Sequence, residues 1–246
     1  MERRIELEEG FNFRDLGGYA TANGGTTRWG AFFRADTMHL LTAADQAKLV
    51  EEYGLRTIID LRRSGELEER PNVFALSSAV NYMHLNMIGD GELESEPPPD
   101  EGAARIAWSY RTYLDQRHEA IRQILATMAA KEALPAMYHC AAGKDRTGVT
   151  AALLLGLAGV PEETIAEDYG LSARYLADKY RREREAEGEH MEGFTWEDYQ
   201  RQICPPEAMR LTLGHLQNRY GGIEAYMHEI GLTDGEIDSL RSSMVD

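Results

Sequence analysis

Strand and helix signals alternate along most of the chain, and that alternation predicts an α/β fold: a largely parallel sheet covered by helices. Two features sharpen the expectation. A helix over residues 146–158 is apolar nearly all round (Val149, Ala152, Leu153, Leu154, Leu155, Leu157), as a helix at the centre of a layered domain must be. Directly before it, a short strand over 136–139 ends at Cys140, so that strand, tight loop and helix follow without a break.

The other elements read in order. Residues 30–34 form a short strand. Thr42-Ala-Ala-Asp45 opens a helix with a capping box; Leu49, Val50 and Tyr53 give its apolar face and Gly54 closes it. Residues 57–61 are a β-branched run with the pattern of a buried strand, and 82–85 make another. The stretch 89–102 carries six acids, no base and three consecutive prolines, which favour an extended loop, either a solvated excursion or part of a lid. Helical spacing resumes with Ile106, Tyr110, Tyr113 and Leu114, and again with Ile121, Ile124, Leu125 and Met128. Pro161-Glu-Glu opens a helix with Pro at its first position and acids in its first turn. A further helix follows Ser172, densely charged over 178–189. From Trp196 onward the pattern is all helix, punctuated by Pro205-Pro206 and Gly221-Gly222. Without repeat or linker, residues 1–246 are expected to form one domain with helical additions.

Composition narrows the function. The 246 residues are 43% hydrophobic and 28% charged, ordinary for a globular protein and too apolar for disorder. Lys plus Arg number 26 against 42 Asp plus Glu, a net charge of −16. Such a chain, with no basic stripe, is a poor nucleic-acid binder, and an anionic substrate must be caught by a local site. No run approaches the ~20 apolar residues of a membrane span, so stable membrane insertion is not expected. The opening residues lack a signal peptide's apolar stretch, so a cytoplasmic location is expected unless another export route operates. Two cysteines are too few for a disulfide framework or a four-cysteine zinc site, and no metal or other cofactor is expected. The oligomeric state is left open.

One segment stands above the rest: His139-Cys140-Ala141-Ala142-Gly143-Lys144-Asp145-Arg146-Thr147-Gly148. A loop between a strand and a helix N-terminus is an anion cradle, because free N–H groups point inward and the helix dipole adds positive potential. Gly143 permits a turn that a side chain would block. The planar fork of Arg146 can grip two oxygens of a phosphoryl group. The same field should lower the Cys140 thiol pKa and make it a thiolate aimed at phosphorus. Thr147 is placed to hydrogen-bond the sulfur, and His139 to order the loop through backbone contacts. A nucleotide-binding P-loop is excluded, since Asp145 follows Gly143-Lys144 where Ser or Thr is required.

This loop resembles the signature of cysteine-dependent phosphatases, in the bacterial atypical branch of tyrosine and phosphoinositide phosphatases. The resemblance continues through Asn12-Phe-Arg-Asp-Leu-Gly-Gly18, Phe33-Arg34, Ile59-Asp-Leu-Arg62 with Glu66, Asp168-Tyr169, and the segment from Tyr220 to Leu232. It implies a parallel sheet of four or five strands with helices on both faces and a helical lid over the pocket. It also implies a phosphomonoesterase that forms a phosphocysteine on phosphotyrosine and on phosphoserine or phosphothreonine, with Ala141 to Thr147 holding the phosphate. A phosphoinositide or other small-molecule phosphatase, a non-catalytic phosphate-binding module and a rhodanese-type sulfurtransferase are the alternatives. No Trp-Pro-Asp acid loop occurs. The resemblance makes Asp145 the first candidate for the general acid, and Asp90, placed where a mobile acid loop belongs, the second. Lys144 adds a second positive charge at the rim, in keeping with phosphoinositide-accepting relatives, or turns to solvent. Asn12, Arg14 and Asp15 are expected to fix a buried turn. Asp60 and Arg62 either orient the loop or pair internally, and Cys204 is expected to be inert.

Overall fold

The computed structural model describes residues 2–91, 93 and 97–245. Strands β1 (Arg14–Asp15), β2 (Phe32–Ala35), β3 (Thr57–Asp60), β4 (Asn81–His84) and β5 (Ala136–His139) form one sheet in the order β1-β2-β5-β3-β4. Four strands run parallel, and β1 pairs antiparallel with β2 at one edge. The expected largely parallel sheet is present, with a single antiparallel edge strand. The register sets Phe32 and Thr57 on either side of Ala136, and Ala35 and Asp60 on either side of His139.

Because side chains alternate across a strand, β2, β3 and β5 feed two cores. Phe32, Ile59, Ala136 and Tyr138 join the larger one. Phe33, Ala35, Ile58 and Met137 join the smaller one, with Leu41, Leu49, Leu55 and Phe74. The smaller core is closed by α1 (Ala43–Ala47), capped as expected by Thr42 and Asp45, and by a π-helical turn over Lys48–Glu52. Helix α2 (Ser64–Glu69) follows β3. The larger core receives α3 (Gly102–Gln116), α4 (His118–Ala129) and α5 (Asp145–Leu157), the last buried along nearly its whole length.

Beyond α5 the chain is helical: α6 (Glu162–Ala186), α7 (Trp196–Ile203), α8 (Pro206–Tyr220), α9 (Ile223–Glu229) and α10 (Asp234–Met244). Two details differ from expectation. Pro161 is the N-cap of α6 rather than its first residue, and α6, 25 residues long, runs unbroken through Ser172. Gly170 costs about 1 kcal/mol of helix propensity. Burial of Ile165, Ala166, Tyr169, Ala173, Leu176 and Ala177 on one stripe outweighs it. In the acidic 89–102 stretch, Glu92, Glu94, Ser95 and Glu96 lie outside the described residues. Among the described residues no helix is long and apolar enough to cross a membrane.

Candidate active site

The loop from Cys140 to Arg146 leaves the C-terminal end of β5, the central strand, and its outer surface is tied down carbonyl by carbonyl. His139 Nδ1 donates to the Cys140 carbonyl at 3.0 Å, and the Thr37 amide donates to that of Ala141 at 3.0 Å. Asn12 Nδ2 donates to the carbonyls of Ala142 (2.9 Å) and Gly143 (3.0 Å), and Arg34 Nη2 adds a 2.9 Å bond to Gly143. The Lys144 carbonyl takes the Gly148 amide at 2.8 Å. With every carbonyl from Cys140 to Lys144 turned outward, the amides of Ala141, Ala142, Gly143 and Lys144 face the other way and meet no acceptor among the described residues. That is the donor arrangement of an anion nest.

Gly143 is the residue the turn cannot replace. Its φ is +65°, and a Cβ there would lie 2.4 Å from the Ala35 carbonyl oxygen at the end of β2. We expect Gly143→Ala to cost at least ~1–3 kcal/mol in backbone strain alone and to lose activity out of proportion, since the loop must retreat from β2. Thermal unfolding and kcat read side by side check this; an active variant of unchanged stability would show that the close approach is unimportant.

Arg146, at the start of α5, is held in a fork by Glu66 of α2: Nη1 to Oε2 at 2.6 Å and Nη2 to Oε1 at 2.9 Å. Burial disfavours both charges, but the pairing outweighs it, keeping Glu66 below and Arg146 above their ordinary pKa values. Cys140 is 1% exposed, at the floor of the cradle.

A buried ionic network backs the loop. Asp168 of α6 accepts from Arg14 Nε at 3.0 Å, Arg34 Nη1 at 2.6 Å and Tyr19 Oη at 2.8 Å. Burial would raise its pKa, but Arg14 and Arg34 hold it well below the carboxylate range. Arg14 also donates to Asn12 Oδ1, which fixes the Asn12 amide with its NH₂ toward the loop. So Asn12 and Arg14 do not merely fix a turn; they anchor the cradle. Asp15 does what the sequence implied, capping the amides of Gly17 and Gly30 at 2.7 and 2.8 Å. Asp60 and Arg62 make the internal ion pair, 2.7 Å at Nη2, and Asp60 also lies 3.2 Å from His139 Nε2, which links the pair to the loop.

The remaining candidates are placed as follows. Asp145 is 39% exposed and accepts from Tyr110 Oη of α3 at 2.5 Å, with Lys144 Nζ 3.5 Å from the same oxygen. Asp90 is exposed and bound to α2 through the Ser64 hydroxyl (2.7 Å) and amide (3.0 Å); Asn86, just after β4, donates to it as well (2.9 Å), and these contacts hold its carboxyl below the usual range. The Thr147 hydroxyl is wholly buried and makes no hydrogen bond, so the expected contact with the sulfur is not made. Cys204 is buried, its Sγ 3.8 Å from the Gly170 carbonyl, and burial pushes its thiol up to about 12. Tyr110 was legible only as a core position of a helical stripe; nothing in its spacing marks it as a partner of Asp145.

Beside the loop lies a cavity of about 210 Å³ lined by Arg70, Ala141, Ala142, Lys179, Tyr180 and Tyr199, among others. The two tyrosine rings stack with centroids 4.4 Å apart, bringing α6 and α7 together along its edge. Burial, then Arg70, Lys179 and Arg62, hold His39 below its ordinary pKa.

The chain is 30% identical over 215 residues to a tyrosine-protein phosphatase of Nostoc commune, covering 86% of this chain and 73% of the relative. It is 27% identical over 192 residues to the triple specificity protein phosphatase PtpB of Mycobacterium tuberculosis, covering 67% of each. The solved catalytic core of Siw14 superposes with a TM-score of 0.38 at 14% identity, over 76% of this chain and 96% of that one. The tyrosine phosphatase family model matches residues 5–246, taking in the loop, its anchors and the C-terminal helices, and the chain belongs to that family.

Proposed function

We propose that residues 1–246 act as one phosphatase domain, a cysteine-dependent phosphomonoesterase whose phosphocysteine forms on Cys140. The observation that carries the reading is the loop itself: amides turned inward over Cys140, with Arg146 already clamped by Glu66. The Cys140 thiolate attacks phosphorus in line, forming S–P as the bond to the leaving oxygen breaks. Inward amides of Ala141 to Lys144 and the Arg146 guanidinium hold the three equatorial oxygens throughout. Asp145 gives its proton to the leaving oxygen. Its carboxylate then takes a proton from the water that attacks the phosphocysteine, releasing phosphate and restoring the thiolate. No step asks for a metal, so turnover in excess EDTA is expected to be unchanged.

Asp145 is the stronger acid candidate because it adjoins Arg146 in sequence, whereas Asp90 is engaged as a cap on α2. General acid catalysis contributes about 10²- to 10⁴-fold, and less as the leaving group becomes more acidic. Asp145→Asn is therefore expected to slow phenyl phosphate far more than nitrophenyl phosphate, and Asp90→Asn to cause a smaller, uniform loss. The reverse pattern in kcat would transfer the role to Asp90.

For substrate, phosphotyrosine comes first, with phosphoserine and phosphothreonine beside it. Arg70 and Lys179, which line the cavity beside the loop together with Glu183, favour a second reading, a phosphoinositide carrying a further phosphate. Assays on phosphopeptides against inositol phospholipids decide between them: loss of lipid turnover alone in Arg70→Ala/Lys179→Ala supports the second.

A further inference from the structure

Behind Asp145 stands a pair of tyrosines. Tyr110 of α3 and Tyr169 of α6 are each 1% exposed, with rings edge to face at 5.9 Å. Tyr110 Oη donates to Asp145 Oδ1 at 2.5 Å and lies 2.7 Å from Tyr169 Oη. Burial foremost, and then nearby Tyr169 and Asp145 for Tyr110, and Asp145 for Tyr169, raise both phenols well above their ordinary pKa. They remain neutral hydroxyls and act only by hydrogen bonding. Tyr169 donating to Tyr110, and Tyr110 to Asp145, uses every hydroxyl hydrogen of the chain in one direction.

The two oxygens of Asp145 are thereby made unequal. Tyr110 and Lys144 Nζ, 3.5 Å away, both meet Oδ1, and no donor among the described residues meets Oδ2. We propose that Tyr110, backed by Tyr169, is the positioning residue of the general acid: it occupies Oδ1 and leaves Oδ2 to carry the proton to the leaving oxygen. The inference rests on Asp145 being that acid. As the proton leaves Oδ2, the Tyr110 bond becomes charge-assisted and steadies the carboxylate. In the second half-reaction Oδ2 takes the proton of the attacking water. The titratable groups facing Asp145 are Tyr110 and Tyr113 from α3, Tyr169 from α6, Lys144 and Arg146 beside it in sequence, and Cys204 after α7.

The test is Tyr110→Phe, Asp145→Asn and the double variant, assayed on phenyl and nitrophenyl phosphate across pH. Tyr110→Phe keeps the ring packing. It is expected to lower kcat about tenfold on phenyl phosphate and much less on the nitrophenyl ester. It should also move the alkaline limb of the profile to higher pH, because a carboxylate that loses a donor holds its proton longer. In the Asp145→Asn background the same change should add nothing, since its effect passes through the carboxyl. A purely structural role would give a uniform loss, an unmoved limb and additive losses, and any of these overturns the proposal. A uniform loss in Asp145→Asn would instead overturn the assignment of the acid, and the proposal with it. Should Tyr110→Phe fail to fold, Tyr169→Phe, which keeps the Tyr110–Asp145 bond, must still move the limb the same way by a smaller amount, and an unmoved limb refutes the relay.

Discussion

Replacing Cys140 by Ser is expected to abolish turnover, by on the order of 10⁴-fold or more, while leaving the binding of phosphate analogues intact. The reasoning is local. A serine hydroxyl in the same cradle is a far weaker nucleophile than a thiolate, and every other element that holds phosphate belongs to the backbone, to Arg146 or to groups that anchor them. The loop's carbonyls would stay tied to Thr37, Asn12, Arg34 and Gly148, so the amides should still face inward. Vanadate affinity near that of the wild-type protein, measured by calorimetry, together with lost turnover on phosphotyrosine peptides, is the expected pair of results. Retention of a tenth of the activity would remove Cys140 from the chemistry.

The largest effect on stability is expected at Asp168. Asp168→Asn leaves Arg14 and Arg34, both fully buried, facing each other without the carboxylate that pairs them. Breaking a buried pair in this way costs about 3–5 kcal/mol, a large share of the 5–15 kcal/mol that holds a typical domain together. For a chain of this size that corresponds to a fall of roughly 6–20 °C in the melting temperature. Activity should fall with it, because Arg34 also holds the Gly143 carbonyl and Arg14 orients Asn12. The pH dependence has a definite sign. Asp168 is held below the ordinary carboxylate value in the folded protein, so its contribution is complete above about pH 4, the unfolded value, and is lost as pH falls from there toward the native one. The stability gap between wild type and variant should be constant at neutral pH and close in acid. A gap that persists unchanged below pH 3 would mean that the charge is not what matters.

The legible parts of this protein were those set by short-range pattern. Alternation marked β2, β3, β4 and β5 to within two residues, and the absence of a polar face on α5 announced its central position. The order Cys140, Gly143, Arg146 between a strand and that helix reads directly as an anion cradle, because each residue type has a backbone or electrostatic reason to be there. What stayed illegible depends on contacts distant in sequence. Asn12 meets the loop across 130 residues, Arg34 across 109 and Asp168 reaches Arg14 across 154. A buried asparagine looks the same in sequence whether it braces its own turn or someone else's. Tyr110 fits its helical stripe as a core residue, and only the fold reveals that its hydroxyl ends at Asp145. The break expected at Ser172 failed for a related reason: its hydroxyl accepts from Arg14 at 3.2 Å, a tertiary partner that keeps a weak helix former inside α6.

In the proposed mechanism phosphate passes through sulfur at Cys140. Protein quenched in acid during turnover of a phosphotyrosine peptide, then digested and mapped by mass spectrometry, tests it most directly. The expected result is phosphate on the Cys140 peptide as a thiophosphate, lost on alkylation of the thiol before substrate is added. Turnover at full rate with phosphate on another residue, or with activity surviving complete alkylation of Cys140, would contradict it.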